Sequence, residues 1–468
     1  MNEVSSRIPT IEELSRACAD IWEVAWGMGL RPFPMHYEIV PAAILYEFGA
    51  YGMPGRFSHW SHGKAYHQMK TEYDYGLSKI YELVVNTNPC YAFLLDSNGF
   101  IQNKLIIAHV LAHSDFFANN AYFAETNRHM LDTMPMSAER IRGYEYEYGK
   151  DAVESVIDAA LAICLHLDTT ATAYPRRPIY DDEGRPDPKW RPPARETVYD
   201  DVWEERKTEA APAEARTGDS ARDLLLFIAR HSPDAEDWQR DVINIIREEM
   251  RYFRPQMQTK ICNEGWASYW HTRILRELDL TGEESLVWMG MHGGVVQPGK
   301  RQINPYYLGY KILEDIEKRW SEDGKYPEKG REKLFEVREL EADASLLRNY
   351  LTKELCEELD LYVYVRAPHS NDLVVSEKEE WEIVRDTFAA ELSSRGIPII
   401  VIDDGDFGGM RELYMRHVRD GRDLDLDYAK RVMERIHHLW GRNVYLETSN
   451  GEKKSVLAYN AKNGHSTN

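Results

Sequence analysis

Ile106-Ile107-Ala108-His109-Val110-Leu111-Ala112-His113 sets two imidazoles four residues apart in a run that is otherwise wholly apolar. As a helix this run presents both rings on one face while the rest of its surface is buried, and buried imidazoles need partners. A second stretch, Asn263-Glu264-Gly265-Trp266-Ala267-Ser268-Tyr269-Trp270-His271, has a related pattern, with Glu264, Ser268 and His271 four and three residues apart on a shared helical face. Its aromatic neighbours Trp266, Tyr269 and Trp270 make an unpaired carboxylate costly, so Glu264 requires a cation or an arginine beside it. One metal ion held between two helices by His109, His113 and Glu264 meets both requirements. Sixteen histidines in 468 residues give about 0.5 pairs at this spacing by composition alone. The apolar setting therefore carries the argument, and two hydrogen-bonded core histidines are the competing reading.

The rest of the composition bounds the answer. A chain of 468 residues is long enough for two or three domains, and its 43% hydrophobic and 29% charged residues are those of a globular protein. The net charge of −21, with no sustained Lys/Arg cluster, excludes nucleic acid and anionic membrane surfaces as partners. Cys18, Cys90, Cys164, Cys262 and Cys356 are odd in number and lack metal-ribbon spacing, which suits a reducing compartment. The N-terminal residues form no basic segment leading into an apolar core, and no apolar run is long enough for a membrane span. The expectation is a soluble cytoplasmic protein.

The periodicity predicts an α+β chain: a mostly helical metal-binding domain over 1–350, a small mixed α/β sheet domain over 355–455, and a flexible tail over 456–468. Thr10 and Glu13 form a candidate capping box for the first helix. Gly49 to Ser61 is a Gly- and aromatic-rich loop, read as a packed irregular segment or as a pocket wall with His59 or His62 near the substrate. Helices are expected over 63–83, 137–148, 153–167, 224–229 and 238–253, with a strand at Cys90–Leu95. Residues 174–220 are Pro-rich and then acid- and Ala-rich, which predicts an extended insert. His292, followed by two glycines, reads as a backbone turn or a substrate loop, with the turn favoured. Towards the C-terminus, strands at 361–365, 397–402 and 443–448 alternate with helices at 376–394 and 426–440. The acidic run from Asp403 to Gly409 lacks the glycine spacing of a nucleotide loop, so this domain reads as a regulatory or protein-docking module.

Ile101–Asn120, Pro54–Lys64 and above all Ile261-Cys-Asn-Glu-Gly-Trp-Ala-Ser-Tyr-Trp-His resemble the stage V sporulation protein R (SpoVR) family over nearly the whole chain. The resemblance implies a cytoplasmic protein tied to spore cortex formation, with stress-related relatives in other bacteria. A more distant similarity is to zincin metallopeptidases, which place H-E-x-x-H on one helix and a third ligand Glu on a later one. His109, His113 and Glu264 match those ligand positions, which implies zinc, but Val110 stands where the water-activating glutamate belongs. His271, as fourth ligand or proton shuttle, and Tyr269 are the candidates to assist. Asp115 lies about 200° around the helix from His113 and points away.

Three readings follow. The first is a zinc-dependent amide hydrolase acting on a cell-wall precursor or a regulatory protein. The second is a non-catalytic assembly or regulatory factor with a structural metal, docking protein partners through its C-terminal domain. The third is a non-haem iron site, because two His and one carboxylate also form a facial triad.

Overall fold

A computed structural model describes residues 7–75, 82–167, 222–298, 303–362, 364–366, 373–375, 381–450 and 453–467. The Pro-rich insert expected at 174–220 lies outside the described residues. The chain divides into two compact units, one of Met1–Glu154 and Glu249–Gly396, the other of Ser155–Glu248 and Ile397–Asn468.

In the first unit, helix α1 (Ile11–Gly27) opens at the capping box of Thr10 and Glu13. It is followed by β1 (Met35–Val40), α2 (Ala42–Tyr51), α3 (Trp60–Asp74), β2 (Glu82–Val85) and β3 (Cys90–Leu95). The three strands make one sheet in the order β1-β3-β2, with β1 parallel and β2 antiparallel to β3. Cys90, Ala92 and Leu94 face one core, while Phe93, Leu95 and Val85 face another that includes Leu45, Met53 and Tyr252. The strand period of two separates these sets.

Helix α4 (Phe100–Asn119) is buried on every side from Leu105 to Phe117, its polar His109, His113, Ser114 and Asp115 included. Beside it pack α1, α9 (Lys260–Glu277) and α10 (Gly282–Val295). Helix α9 in turn crosses α11 (Pro305–Trp320) at glycines: a Cβ on Gly265 would lie 2.5 Å from Gly309 Cα, and one on Gly309 2.2 Å from the Ile261 carbonyl oxygen. Backbone therefore meets backbone, and two bulky faces are drawn together. Helices α5 (Met130–Tyr148) and α6 (Lys150–Leu161) precede the insert, and α7 (Leu224–His231) and α8 (Asp237–Gln258) follow it. Helices α12 (Pro327–Leu340), α13 (Asp343–Tyr350), α14 (Lys353–Glu358) and α15 (Trp381–Ser394) then complete the first unit, with a two-stranded ribbon of β4 (Tyr364–Arg366) and β5 (Leu373–Val375).

The second unit contains a five-stranded sheet in the order β10-β9-β8-β7-β6. Its strands are β6 (Ile399–Phe407), β7 (Glu412–Val418), β8 (Val444–Asn450), β9 (Lys453–Asn460) and β10 (Gly464–Thr467). Only the β7–β8 pairing is parallel, and helix α16 (Leu426–Trp440) lies against β8 and β9. Trp440, fully buried, stacks on Phe227 with ring centroids 5.8 Å apart.

The α+β class stands, and four expectations need correction. Residues 82–83 are strand, because Leu83 and Val85 alternate with Glu82 and Val84 between two cores. His292 lies in a helix whose start is fixed by the Thr281–Glu284 capping box, and its glycine neighbours are accommodated within the last turns. The expected tail at 456–468 instead pairs into the sheet as β9 and β10, with Leu457 in the core. The boundary near 355 falls at 396/397, since α15 packs on α13 and α14, while residues 155–248 group with the sheet.

Candidate metal centre

His109 and His113 are one turn apart on α4 and both are about 5% exposed. Their Nε2 atoms lie 3.1 Å from each other, and Glu264 Oε2, carried in by α9, lies 3.7 Å from the first and 3.4 Å from the second. Among the described residues no arginine answers the carboxylate, and Glu264 Oε2 is buried and accepts no hydrogen bond from them. Burial works to raise Glu264, but contact with His109 and His113 outweighs it and holds the carboxyl well below the usual range. Sides of 3.1, 3.4 and 3.7 Å define a circle whose centre is about 2.0 Å from each atom, beside usual zinc–ligand distances of about 2.0–2.2 Å.

The remaining ring nitrogens are also engaged. His113 Nδ1 donates to Asn263 Oδ1 at 2.9 Å. His109 Nδ1 meets His271 Nδ1 at 3.0 Å, and His271 Nε2 meets His292 Nδ1 at 3.0 Å. A single direction of donation, His109 to His271 to His292, satisfies all three rings in the neutral form. Burial lowers His109, His271 and His292 alike, which agrees with neutral rings. Burial also works to lower His113, but Glu264, Asn263 and Glu82 outweigh it and leave it raised. Tyr306 on α11 stacks on His109 at 6.2 Å, and its hydroxyl lies beside Glu264.

Of the residues singled out by sequence, His109, His113 and Glu264 converge. His271 belongs to the outer layer: it touches the far nitrogen of His109, so it holds a ring in place and does not complete a four-donor set. Tyr269 is turned elsewhere on α9, with Arg273 stacked 3.3 Å from its ring and Glu317 beside its hydroxyl. Asp115 indeed points away, fixed by Arg338, Trp266 Nε1 and the Arg31 amide. His62 Nδ1 donates to the Phe57 carbonyl and His59 Nδ1 meets Ser61 Oγ, so both histidines hold their own loop. That loop lines a separate pocket of about 360 Å³ with Glu47, Tyr51, Arg56, Pro135 and Arg142.

Sequence reading did not single out Asn263, Glu82, Tyr306 or His292 as parts of this site. Asn263 was in view as the neighbour of Glu264. Glu82, a lone carboxylate opening the apolar run Leu83-Val84-Val85, was hidden by reading 63–83 as helix.

The family described as "SpoVR like protein" matches residues 9–397, and the "SpoVR-like C-terminal domain" matches 398–451. The chain belongs to the SpoVR family. The junction between the two matches falls within two residues of the boundary at 396/397. The "Uncharacterized protein YcgB" of Escherichia coli (strain K12) is 29% identical over 491 residues, covering 96% of this chain and 95% of that protein. No solved structure matches the chain. Among the described residues no helix is long and apolar enough to cross a membrane.

Proposed function

We propose that His109, His113 and Glu264 hold one divalent metal ion, zinc by donor set, and that this SpoVR-family chain hydrolyses amide bonds in the service of spore cortex formation. The observation that carries the reading is the buried triangle of two Nε2 atoms and one carboxylate oxygen that accepts no hydrogen bond. Three protein donors, with His271 on the outer side of His109, are a donor set of the catalytic kind; a structural site is closed by four. Asn263 and His271 hold the two ligating rings by their far nitrogens, the usual way of fixing tautomer and ring plane.

When bound, zinc supplies Lewis acidity towards a carbonyl and lowers the pKa of water. The chain's own residues do the rest. Apolar packing around α4 and α9 keeps the donors dry, which strengthens every electrostatic contact there. Tyr306, beside Glu264 and over His109, is placed to hydrogen-bond an oxygen of a bound amide. A cell-wall precursor or a regulatory protein is the proposed source of that amide, and cytoplasmic placement is part of the same proposal.

The test is to load the purified chain with zinc, then compare it with a His109→Ala/His113→Ala variant against a panel of peptide and muropeptide-like amides. Turnover that needs zinc and both histidines supports the reading. One tightly held zinc with no turnover on any amide would replace it with the structural-metal reading.

A further inference from the structure

Resting on the metal reading above, we propose that Glu82, the first residue of β2, is the catalytic base of this centre, standing in for the carboxylate that Val110 displaces. The strand pleat carries the argument. In β2, Leu83 and Val85 pack with Phe93 and Leu95 on one side, whereas Val84 joins Ala92 and Leu94 in the core around α4 and α9. Glu82, paired opposite Leu94, shares the side of Val84. It therefore faces the core that contains both histidine-bearing and glutamate-bearing helices. The charged groups that act on its carboxyl are His113 and Glu264, and the Tyr306 hydroxyl is in turn influenced by both Glu264 and Glu82. Two carboxyls, an imidazole and a phenol thus share one electrostatic neighbourhood.

Half-buried Glu82 also differs from three buried acids of this unit. Asp115, Glu249 and Asp343 are each paired with an arginine, respectively Arg338, Arg56 and Arg395. Glu82 has no such pair among the described residues, so its charge is not consumed by a structural cation. Burial pushes it up to about 7, with Glu264 adding to the rise and His113 opposing it.

The step balances without a further reactant. Water gives one proton to the Glu82 carboxylate as its oxygen bonds to the amide carbon. When the carbon–nitrogen bond breaks, Glu82 returns that proton to the leaving nitrogen. Amide and water become carboxylic acid and amine, and Glu82 is regenerated.

The test uses the intact chain and acetohydroxamic acid, a chelator whose released proton needs a neighbouring base. Wild type, Glu82→Gln and Glu82→Asp are compared for bound metal by elemental analysis, for melting temperature, and for acetohydroxamate affinity. The expected result is that Glu82→Gln keeps one metal per chain and its fold but binds acetohydroxamate at least tenfold more weakly, with Glu82→Asp in between. Unchanged affinity in a metal-loaded Glu82→Gln chain overturns the base assignment and leaves the metal site standing. Loss of metal from a folded Glu82→Gln chain overturns it too, making Glu82 a ligand. A wild-type chain that binds no metal removes both proposals, and elemental analysis distinguishes that failure.

Discussion

Gly265→Ala puts two effects of opposite sign against each other, and the structure says which wins. In a helix interior alanine is favoured over glycine by about 1 kcal/mol, so on local propensity alone the variant is stabilised. The added Cβ, however, would sit 2.5 Å from Gly309 Cα and its carbonyl carbon, against ordinary contact at 3.4–4 Å. The shortfall is roughly 1 Å, and it is met by backbone that has no rotamer to yield. Overpacking of this kind costs about 1–3 kcal/mol or more, and the full backbone clash places this site at or beyond the upper end. The net expectation is a loss of about 2 kcal/mol, which in a unit of this size lowers the melting temperature by about 3 °C. Because Glu264 adjoins the forced residue, separating α9 from α11 also moves it relative to His109 and His113, and metal sites tolerate only about 0.2 Å. Metal content should therefore fall with stability. Gly63→Ala, in α3 with open space around it, is the control and should gain up to about 1 kcal/mol. Thermal melts of both variants, with metal analysis, decide the matter. A Gly265→Ala chain as stable as Gly63→Ala would refute the close helix crossing.

Other outcomes follow from the same contacts. Arg338→Ala strands the fully buried Asp115, and urea unfolding should register a loss of about 3–5 kcal/mol. Asn263→Ala removes the acceptor from His113 Nδ1, and competitive chelator titration should show metal affinity falling about 10–100-fold with the fold intact. His62 is held down to about 4, first by burial and then by Arg56. As pH falls from about 6.5 to 4, the unfolded chain takes up a proton that the folded chain refuses. The stability His62 contributes is thus whole above pH 6.5 and lost on the order of 2 kcal/mol towards pH 4. His62→Asn, which can still donate to the Phe57 carbonyl, should flatten that part of the stability–pH curve.

Much of the fold was legible where one rule dominated. The run Leu105–Ala112 is apolar but for His109, so its burial and its helical form were readable together, and His109 and His113 came with it. Glu264 was legible for the converse reason, a carboxylate among tryptophans. Other features depended on long-range pairing that periodicity does not encode. Glu82 and the tail strands β9 and β10 form only because β3 and β8 lie beside them. The helix around His292 overrides three glycines through the Thr281–Glu284 box and the packing of Trp288. The placement of His271 outside the triangle depends on which ring nitrogen of His109 faces inward, a matter of rotamer that spacing leaves open.

X-ray absorption at the zinc edge tests most directly whether two imidazoles and one carboxylate bind a metal here. Stoichiometrically loaded wild type should give two imidazole nitrogens and oxygen at about 2.0–2.2 Å with no sulfur shell, and Glu264→Gln should lose the metal. A sulfur shell near 2.3 Å, or full zinc retention by Glu264→Gln with an unchanged spectrum, would contradict it.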